Sequence, residues 1–311
     1  MDEEKTMISE DFRCGSIGLI GLPNAGKSTL LNSALGQKLS IISSKPQTTR
    51  NRILGIYQAE NVQIALVDTP GIHKPKGKLH KIMVRSAQDV IDEVDSICWV
   101  VDGVKLLRTM NKKGDIWGGG IGRLLQLVSN VERLSVAINK VDCMKKSDIL
   151  PLIKEFSLKL PNAEIVPISA YKTDNVDALV QVWTGHVPQM PPMFPPDQLT
   201  DVSERFLVSE IIREKVFHLT NQEIPYSVAV SIESFHDKSK LVEIHARIHV
   251  EKDSQKGIII GKRGSKLKDI GTRARLEIEP WFEKKVLLHL FVAVRKKWTE
   301  NLKDLKDLGF Q

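Results

Sequence analysis

Residues 16–36 read SIGLIGLPNAGKSTLLNSALG: an apolar run, a glycine-rich turn, then a segment with helical spacing. SIGLIGL (16–22) predicts a buried strand. Leu30, Leu31, Ala34 and Leu35 share one helical face, and Gly36 ends that helix. Between strand and helix, Gly21, Leu22, Pro23, Asn24, Ala25, Gly26, Lys27 and Ser28 fit GxxxxGK[ST] in the context the motif requires. The glycines let successive backbone N–H groups turn inward around phosphate oxygens, helped by the helix N-terminus behind them. Lys27 is placed to reach the β- and γ-phosphates, and the Ser28 hydroxyl to ligate Mg²⁺, with Thr29 next to it in the helix.

Further along, RILGIYQ (52–58), VQIALVD (62–68), SICWVVD (96–102), LSVAINK (134–140) and AEIVPIS (163–169) are buried-strand candidates. Helical stretches at 77–94, 147–160 and 175–183 alternate with them. This rhythm predicts a doubly wound, mostly parallel α/β sheet with both faces covered. NKKGDIWGGGIG (111–122) breaks the rhythm and reads as an extended loop. HVPQMPPMFPPDQ (186–198) reads as a semi-rigid spacer that neither continues a helix nor pairs in a sheet. We therefore expect a first domain over 1–185, a proline-rich linker over 186–202 and a second domain over 203–311.

Two motifs identify the nucleotide. Asp68-Thr69-Pro70-Gly71 closes a strand, so Asp68 can hold Mg²⁺ through water and the Gly71 N–H can sense a γ-phosphate. Asn139-Lys140-Val141-Asp142 ends the strand LSVAINK. A carboxylate at Asp142 accepts from the N1–H and 2-amino group of guanine, donors that adenine lacks. Lys140 can lie along the base, and Ser169-Ala170 can supply a backbone contact to the guanine oxygen. The order of the four motifs is that of a GTPase. The position after Gly71, where Ras-type enzymes carry a water-orienting Gln, is Ile72, which predicts slow intrinsic hydrolysis. The polar segment 40–55 holds Thr48 and Thr49, either of which could close over Mg²⁺ and so join Lys27 in catalysis. Arg50 and Arg52 are expected in salt bridges or solvent. Asn24 is first a turn residue and second a candidate ligand for K⁺.

The second domain is expected as helix (203–217), two strands (226–235 and 241–251), a helix–GKRG–helix unit (254–283), a strand (286–294) and a short amphipathic helix. This is a type II KH order, in which a GxxG loop admits a nucleic-acid backbone and a groove reads about four bases. Gly261, Lys262, Arg263 and Gly264, with Lys266 and Lys268, are the candidate RNA contacts. Lys256 to Arg275 holds seven Lys/Arg and one acidic residue. His218, His236, His245, His249 and His289 show no ligand spacing, and Trp281, Phe282 and Trp298 are expected in the core rather than stacked on bases.

The 311-residue chain has a net charge of +7. Residues 203–311 hold 21 Lys+Arg against 16 Asp+Glu, and residues 1–202 hold 24 against 22, so the surplus belongs mainly to the second domain. No run of 18 apolar residues predicts a membrane span. The acidic MDEEKTMISEDF (1–12) does not read as a leader. Three scattered cysteines give no disulfide framework, and Cys98 is expected as a buried thiol in a reduced, cytoplasmic protein.

From Ser16 to Phe310 the chain resembles the Era family of bacterial GTPases. The resemblance is carried by GLPNAGKSTLLN, PQTTRNRILGI, DTPGIHKPKGKL, NKVD, PPDQLTDVSERFLVSEIIREKVF, EIPYSVAVSIESF and GIIIGKRGSKLKDIG. It implies a GTP-regulated factor of 30S ribosomal subunit assembly, monomeric, whose KH domain binds the 3′ end of small-subunit rRNA, with peripheral association at the inner membrane. It also implies Gly21 to Ser28, Asp68 to Ile72 and Asn139 to Asp142 as the GTP/GDP contacts. The glycine-rich 111–122 is where the chain departs from the family pattern. An RNA-binding assembly protein with a purely structural nucleotide is the competing reading.

Overall fold

The computed structural model describes residues 11–43, 45, 48–72, 77–220 and 224–310. Residues 1–10 of the acidic opening, Ser44, Pro46, Gln47, residues 73–76, residues 221–223 and Gln311 lie outside the described residues. The quoted motifs that run through them are followed only on either side. The chain forms two compact units. The first comprises Met1–Leu39, Asn51–Lys74 and Val84–Asp201; the second comprises Ser40–Arg50, Pro75–Met83 and Val202–Gln311.

Among the described residues the first unit contains a six-stranded sheet: β1 (Arg13–Ile20), β2 (Ile53–Ala59), β3 (Val62–Asp68), β4 (Ser96–Asp102), β5 (Leu134–Asn139) and β6 (Glu164–Pro167), in the order β2-β3-β1-β4-β5-β6. Only β2 runs antiparallel, joined to β3 through the two residues Glu60 and Asn61. β3 and β5 are buried at every position, as mostly apolar strands covered on both faces must be. One face carries α2 (Lys78–Glu93, its part from Val84 on), α3 (Gly103–Lys113), α4 (Gly119–Val128) and α5 (Lys146–Lys159). Their Ala87, Leu106, Leu124, Leu152 and Phe156 close around Trp99, which meets the Phe156 ring edge-on at 5.4 Å. α1 (Lys27–Leu35) and α6 (Val176–His186) cover the other face. Cys98 is buried as expected, and burial pushes its thiol up to about 12.

Two expectations for this unit are corrected. Residues 111–122 are not one extended loop: α3 runs to Lys113, and α4 begins at Gly119. Apolar positions on these helices face the sheet. At Gly120 a Cβ would stand 2.7 Å from Leu22 Cδ2, so the glycine permits a close approach of α4 to the phosphate-loop segment. The proline-rich segment is also more than a spacer. The Cys14 N–H donates to Pro188 O, Gln189 bridges Arg13, the Ile56 N–H donates to Leu199 O and Thr200 bridges Gly55 at the β2 edge. Proline removes a donor but keeps its carbonyl, and the non-proline residues between keep both groups, so the segment pairs where its prolines allow. Gln63 anchors it further, with Oε1 accepting from the Met193 and Phe194 amides at 2.8 and 2.9 Å.

The second unit runs α7 (Glu204–Leu219), β7 (Ala229–Asp237), β8 (Leu241–Val250), α8 (Asp253–Ile260), α9 (Ser265–Phe282), β9 (Lys285–Val294) and α10 (Leu302–Asp307). β8 pairs antiparallel with β7 and parallel with β9. The strands alternate: Val242, Ile244, Ala246 and Ile248 are buried against Ile270, Ala274 and Ile278 of α9 and Ile211, Ile212 and Val216 of α7. α7 is capped by Ser203, whose side chain accepts from the Phe206 N–H. It is buried around its whole circumference, including Glu210, Arg213, Glu214 and Lys215.

Segment 40–50 contributes to that burial. Arg213 binds both oxygens of Glu210 and donates to Thr48 O at 2.6 Å. Lys45 donates to Phe217 O and Thr220 O, and the Ile42 N–H to Glu214 at 3.3 Å. Arg50 is buried rather than solvated: it donates to Val228 O and lies over the Phe217 and Trp298 rings. Burial, with the nearby Arg213 charge, holds its guanidinium down to about 9. Arg52, in the first unit, makes the expected surface ion pair, with Glu93 at 2.6 Å. Trp298 is core and Phe282 packs at its margin, but Trp281 is 38% exposed, since its place on α9 faces away from the sheet.

Candidate functional site

β1, β3, β4 and β5 all end at the same edge of the first unit, where the strand order reverses around β1. Loops beyond such carboxyl ends form the binding crevice of open α/β sheets. Gly21 to Thr29 follow β1, Asp68 to Ile72 close β3, Asp102 ends β4 and Asn139 to Asp142 close β5.

Gly26 precedes α1 with φ of 101°, and a Cβ there would lie 2.1 Å from Asn139 Nδ2, so no other residue suits the turn. Lys27 is buried, its Nζ 3.5 Å from Gly21 O and from Leu22 O. Burial lowers its ammonium below the ordinary value, and Asp68 opposes the shift. The Ser28 hydroxyl donates to Asp68 Oδ2 at 2.6 Å. A hydroxyl and a carboxylate so close are the hard oxygen donors that Mg²⁺ selects. Thr69 is locked by its hydroxyl to Leu19 O at 2.7 Å, and the Ile72 N–H donates to Gly21 O at 3.0 Å while its side chain enters the core. Pro70 and Gly71 are buried between them.

Asn139 ties two loops together. Its Nδ2 donates to Ala25 O at 2.8 Å, and its Oδ1 accepts from the Ala170 N–H at 3.0 Å. Lys140, with φ of 71°, bridges Asn24 O and Asp102 Oδ2 at 2.8 and 2.6 Å. The Val141 N–H donates to Ile168 O. Asp142 Oδ1 accepts from the Ser169 hydroxyl at 2.7 Å, a bond that holds its carboxyl below the usual range; the carboxylate itself is exposed. An exposed, ionised acceptor beside a lysine stem suits a base with two adjacent donors.

The first unit thus brings together every expected nucleotide residue except Thr48 and Thr49. Those two are buried in the second unit, where the Thr48 hydroxyl donates to Lys45 O at 2.8 Å. Asp102, the partner of Lys140, was missed by motif reading; its signal is its place at the carboxyl end of a central strand.

In the second unit Gly261, Lys262, Arg263 and Gly264 join α8 to α9. Gly261, Arg263 and Gly264 all have positive φ, of 72°, 51° and 78°. Arg263 is not a glycine, and a residue so held costs about 1–3 kcal/mol, which clusters such strain at ligand clamps. Lys262, Arg263 and Lys268 are exposed and Lys266 half-buried. Beside the loop lies a cavity of about 530 Å³ between α9 and β9, lined by Leu267, Lys268, Thr272, Arg275, Leu288 and Leu290 among others. An apolar floor with a basic rim accommodates unpaired bases and their phosphates. The β9 residues of this groove escaped sequence reading because they meet α9 only through the fold.

A family model described as "50S ribosome-binding GTPase" matches residues 16–140, and one described as "KH domain" matches 223–299. GTPase Era of Geotalea uraniireducens (strain Rf4) is 48% identical over 307 residues, covering 98% of this chain and 100% of that protein. GTPase Era of Geobacter metallireducens is 47% identical, with the same coverage. A crystal structure of Era in complex with MgGDPNP and nucleotides 1506–1542 of 16S ribosomal RNA superposes with a TM-score of 0.90 at 38% identity, over 96% of this chain and 99% of that one. A single-substitution variant of Aquifex aeolicus Era bound to GDP·AlF4⁻ gives 0.87 at 39% identity, also over 96% and 99%.

Proposed function

The chain belongs to the Era family of GTPases, and from that premise we propose a switch that couples GTP hydrolysis to binding of the 3′ end of small-subunit rRNA during 30S assembly and rRNA maturation. It hydrolyses GTP to GDP and phosphate. The observation that supports the RNA half most is its likeness, over 96% of the chain, to an Era structure holding MgGDPNP and a 16S rRNA segment together. The "50S" description belongs to a family model confined to residues 16–140, outside the groove.

On this reading Gly21 to Thr29 wrap the phosphates with backbone N–H groups, and Lys27 lies against the β- and γ-phosphates. Ser28 and Asp68 hold Mg²⁺, which neutralises charge on the transferring phosphoryl group. Thr48 or Thr49 completes that set in the triphosphate state. Asp142 takes the guanine donors, with Lys140 along the base and Ala170 N–H at its oxygen. Ile72 offers no group to orient water, so the intrinsic rate is slow and rises when RNA orders the loops. Asn24 as a K⁺ ligand belongs to the same proposal; a rate indifferent to exchanging K⁺ for Na⁺ removes it. Lys262, Arg263, Lys266 and Lys268 meet the RNA backbone around Gly261 and Gly264, and bases enter the α9–β9 groove. We place the protein in the cytoplasm as a monomer with peripheral contact at the inner membrane; no helix among the described residues is long and apolar enough to cross one.

Lys27→Ala tests the switch. In cells depleted of the native protein, the variant is expected to leave 30S precursors unprocessed although it folds and binds RNA. Full maturation by a folded Lys27→Ala protein would reduce the nucleotide to a structural ligand.

A further inference from the structure

Alternation along β8 and β9 buries Val242, Ile244, Ala246 and Val286 beneath the sheet, and points the partly buried Leu288 and Leu290 to the same side. It turns Glu243, His245, His289 and Phe291 to the opposite face. His245 and His289 are direct register partners on parallel strands, and Glu243 is two residues from His245 on the same strand. The imidazole centroids are 4.5 Å apart, and one ligand atom from each of the three side chains lies within 4.8 Å of the others. The sequence shows no such spacing because 44 residues separate the two histidines; strand pairing alone joins them.

From this juxtaposition we infer that Glu243, His245 and His289 form a binding site for a borderline divalent transition-metal ion of the Zn²⁺ class. The donor set is two imidazoles and a carboxylate, the combination found in three-ligand zinc sites, which leave a fourth position to water. His245 Nε2 and Glu243 Oε1 stand 3.4 Å apart. With metal–ligand bonds of about 2.0–2.1 Å, that is close to the edge of a tetrahedron. A ring nitrogen of His289 lies within 4.8 Å of a ligand atom of each of the other two. The parts are also held. The Lys238 ammonium binds Glu243 Oε2 at 2.7 Å, fixing the carboxylate with its other oxygen toward His245. The Phe291 ring lies nearly parallel to His245, 15° between planes. The next cation on this face, Arg247, is neutralised by Glu233 at 2.6 Å. All three ligands are half-buried, open enough for an ion to enter. Neither the phosphate-loop residues nor the α9–β9 groove uses any of these groups.

Equilibrium dialysis of the full chain against Zn²⁺, with Mg²⁺ and GDP saturating the nucleotide site, tests the inference. His245→Ala, His289→Ala and Glu243→Gln are each expected to weaken one Zn²⁺ site by about tenfold or more, whereas His218→Ala, exposed near the end of α7, leaves it unchanged. Equal Zn²⁺ affinity in the parent and in folded His289→Ala overturns the site. Should the alanine variants fail to fold, proton NMR of the unaltered chain decides. Substoichiometric Zn²⁺ is expected to shift the ring signals of His245 and His289 first; if these two stay in place while other histidines shift, the inference fails.

Discussion

The phosphate-loop segment 21–29 and the threonine segment 40–50 both read, in the sequence, as parts of one nucleotide site, yet they are built by different means. The first is fixed by its own turn and by the loops at the carboxyl ends of the same sheet: a left-handed Gly26, Ser28 on Asp68 at 2.6 Å and Asn139 on Ala25 O at 2.8 Å. The second is fixed by partners about 170 residues away, on α7: Arg213 on Thr48 O, Glu214 on the Ile42 N–H and Lys45 on two α7-end carbonyls. A preformed loop can bind phosphate as it stands. A segment held by polar partners elsewhere has a conformation that those partners set, and this is what a switch element requires.

The largest effect is expected at Asp142, the residue proposed to read the base. Asp142→Ala is expected to erase most of the preference for GTP over ATP, a loss of roughly 10⁴-fold, because sites that hydrogen-bond a ligand discriminate to about that degree. Competition titration reads it, and a retained preference would show that another group reads the base. Next comes Arg213→Ala. Removing one partner from a buried ion pair costs about 3–5 kcal/mol, and here Thr48 O loses its donor as well. Denaturant melts should show that loss, and amide exchange should speed at Ile42; an unchanged Ile42 amide would mean that Glu214 holds that end of the segment without Arg213. Smallest is Arg52→Ala. Both members of the Arg52–Glu93 pair are more than half exposed, so stability should move by no more than about 0.5 kcal/mol. A larger loss in melts would show the first unit to lean on its surface as the second leans on α7.

The same contrast explains what the sequence disclosed. The positions of contiguous motifs were readable: Gly21 to Ser28, Asp68 to Gly71, Asn139 to Asp142 and Gly261 to Gly264 each lie at the strand or helix end expected of them. So was the element order, because β3 and β5 are mostly apolar and β8 alternates. What depended on meetings across the chain was hidden. Helical spacing could place α7 but not show that its Arg213 and Lys215 are buried, since the covering segment is distant in sequence. Proline count suggested a spacer, and only the structure shows Pro188 O and Leu199 O accepting from strand amides. Glycine count suggested a loop at 111–122, whereas Gly120 is there for close packing on Leu22. His245 and His289 became neighbours only through the β8–β9 register.

In the function proposed here, one chain joins a slow GTPase to an RNA groove. The most direct measurement is the single-turnover rate of GTP hydrolysis with and without a short RNA carrying the 3′ end of small-subunit rRNA. Hydrolysis is expected to be slow alone and clearly faster with the RNA, an acceleration lost when Lys262 and Arg263 are replaced by Asp. A fast rate that is the same with and without RNA would contradict it.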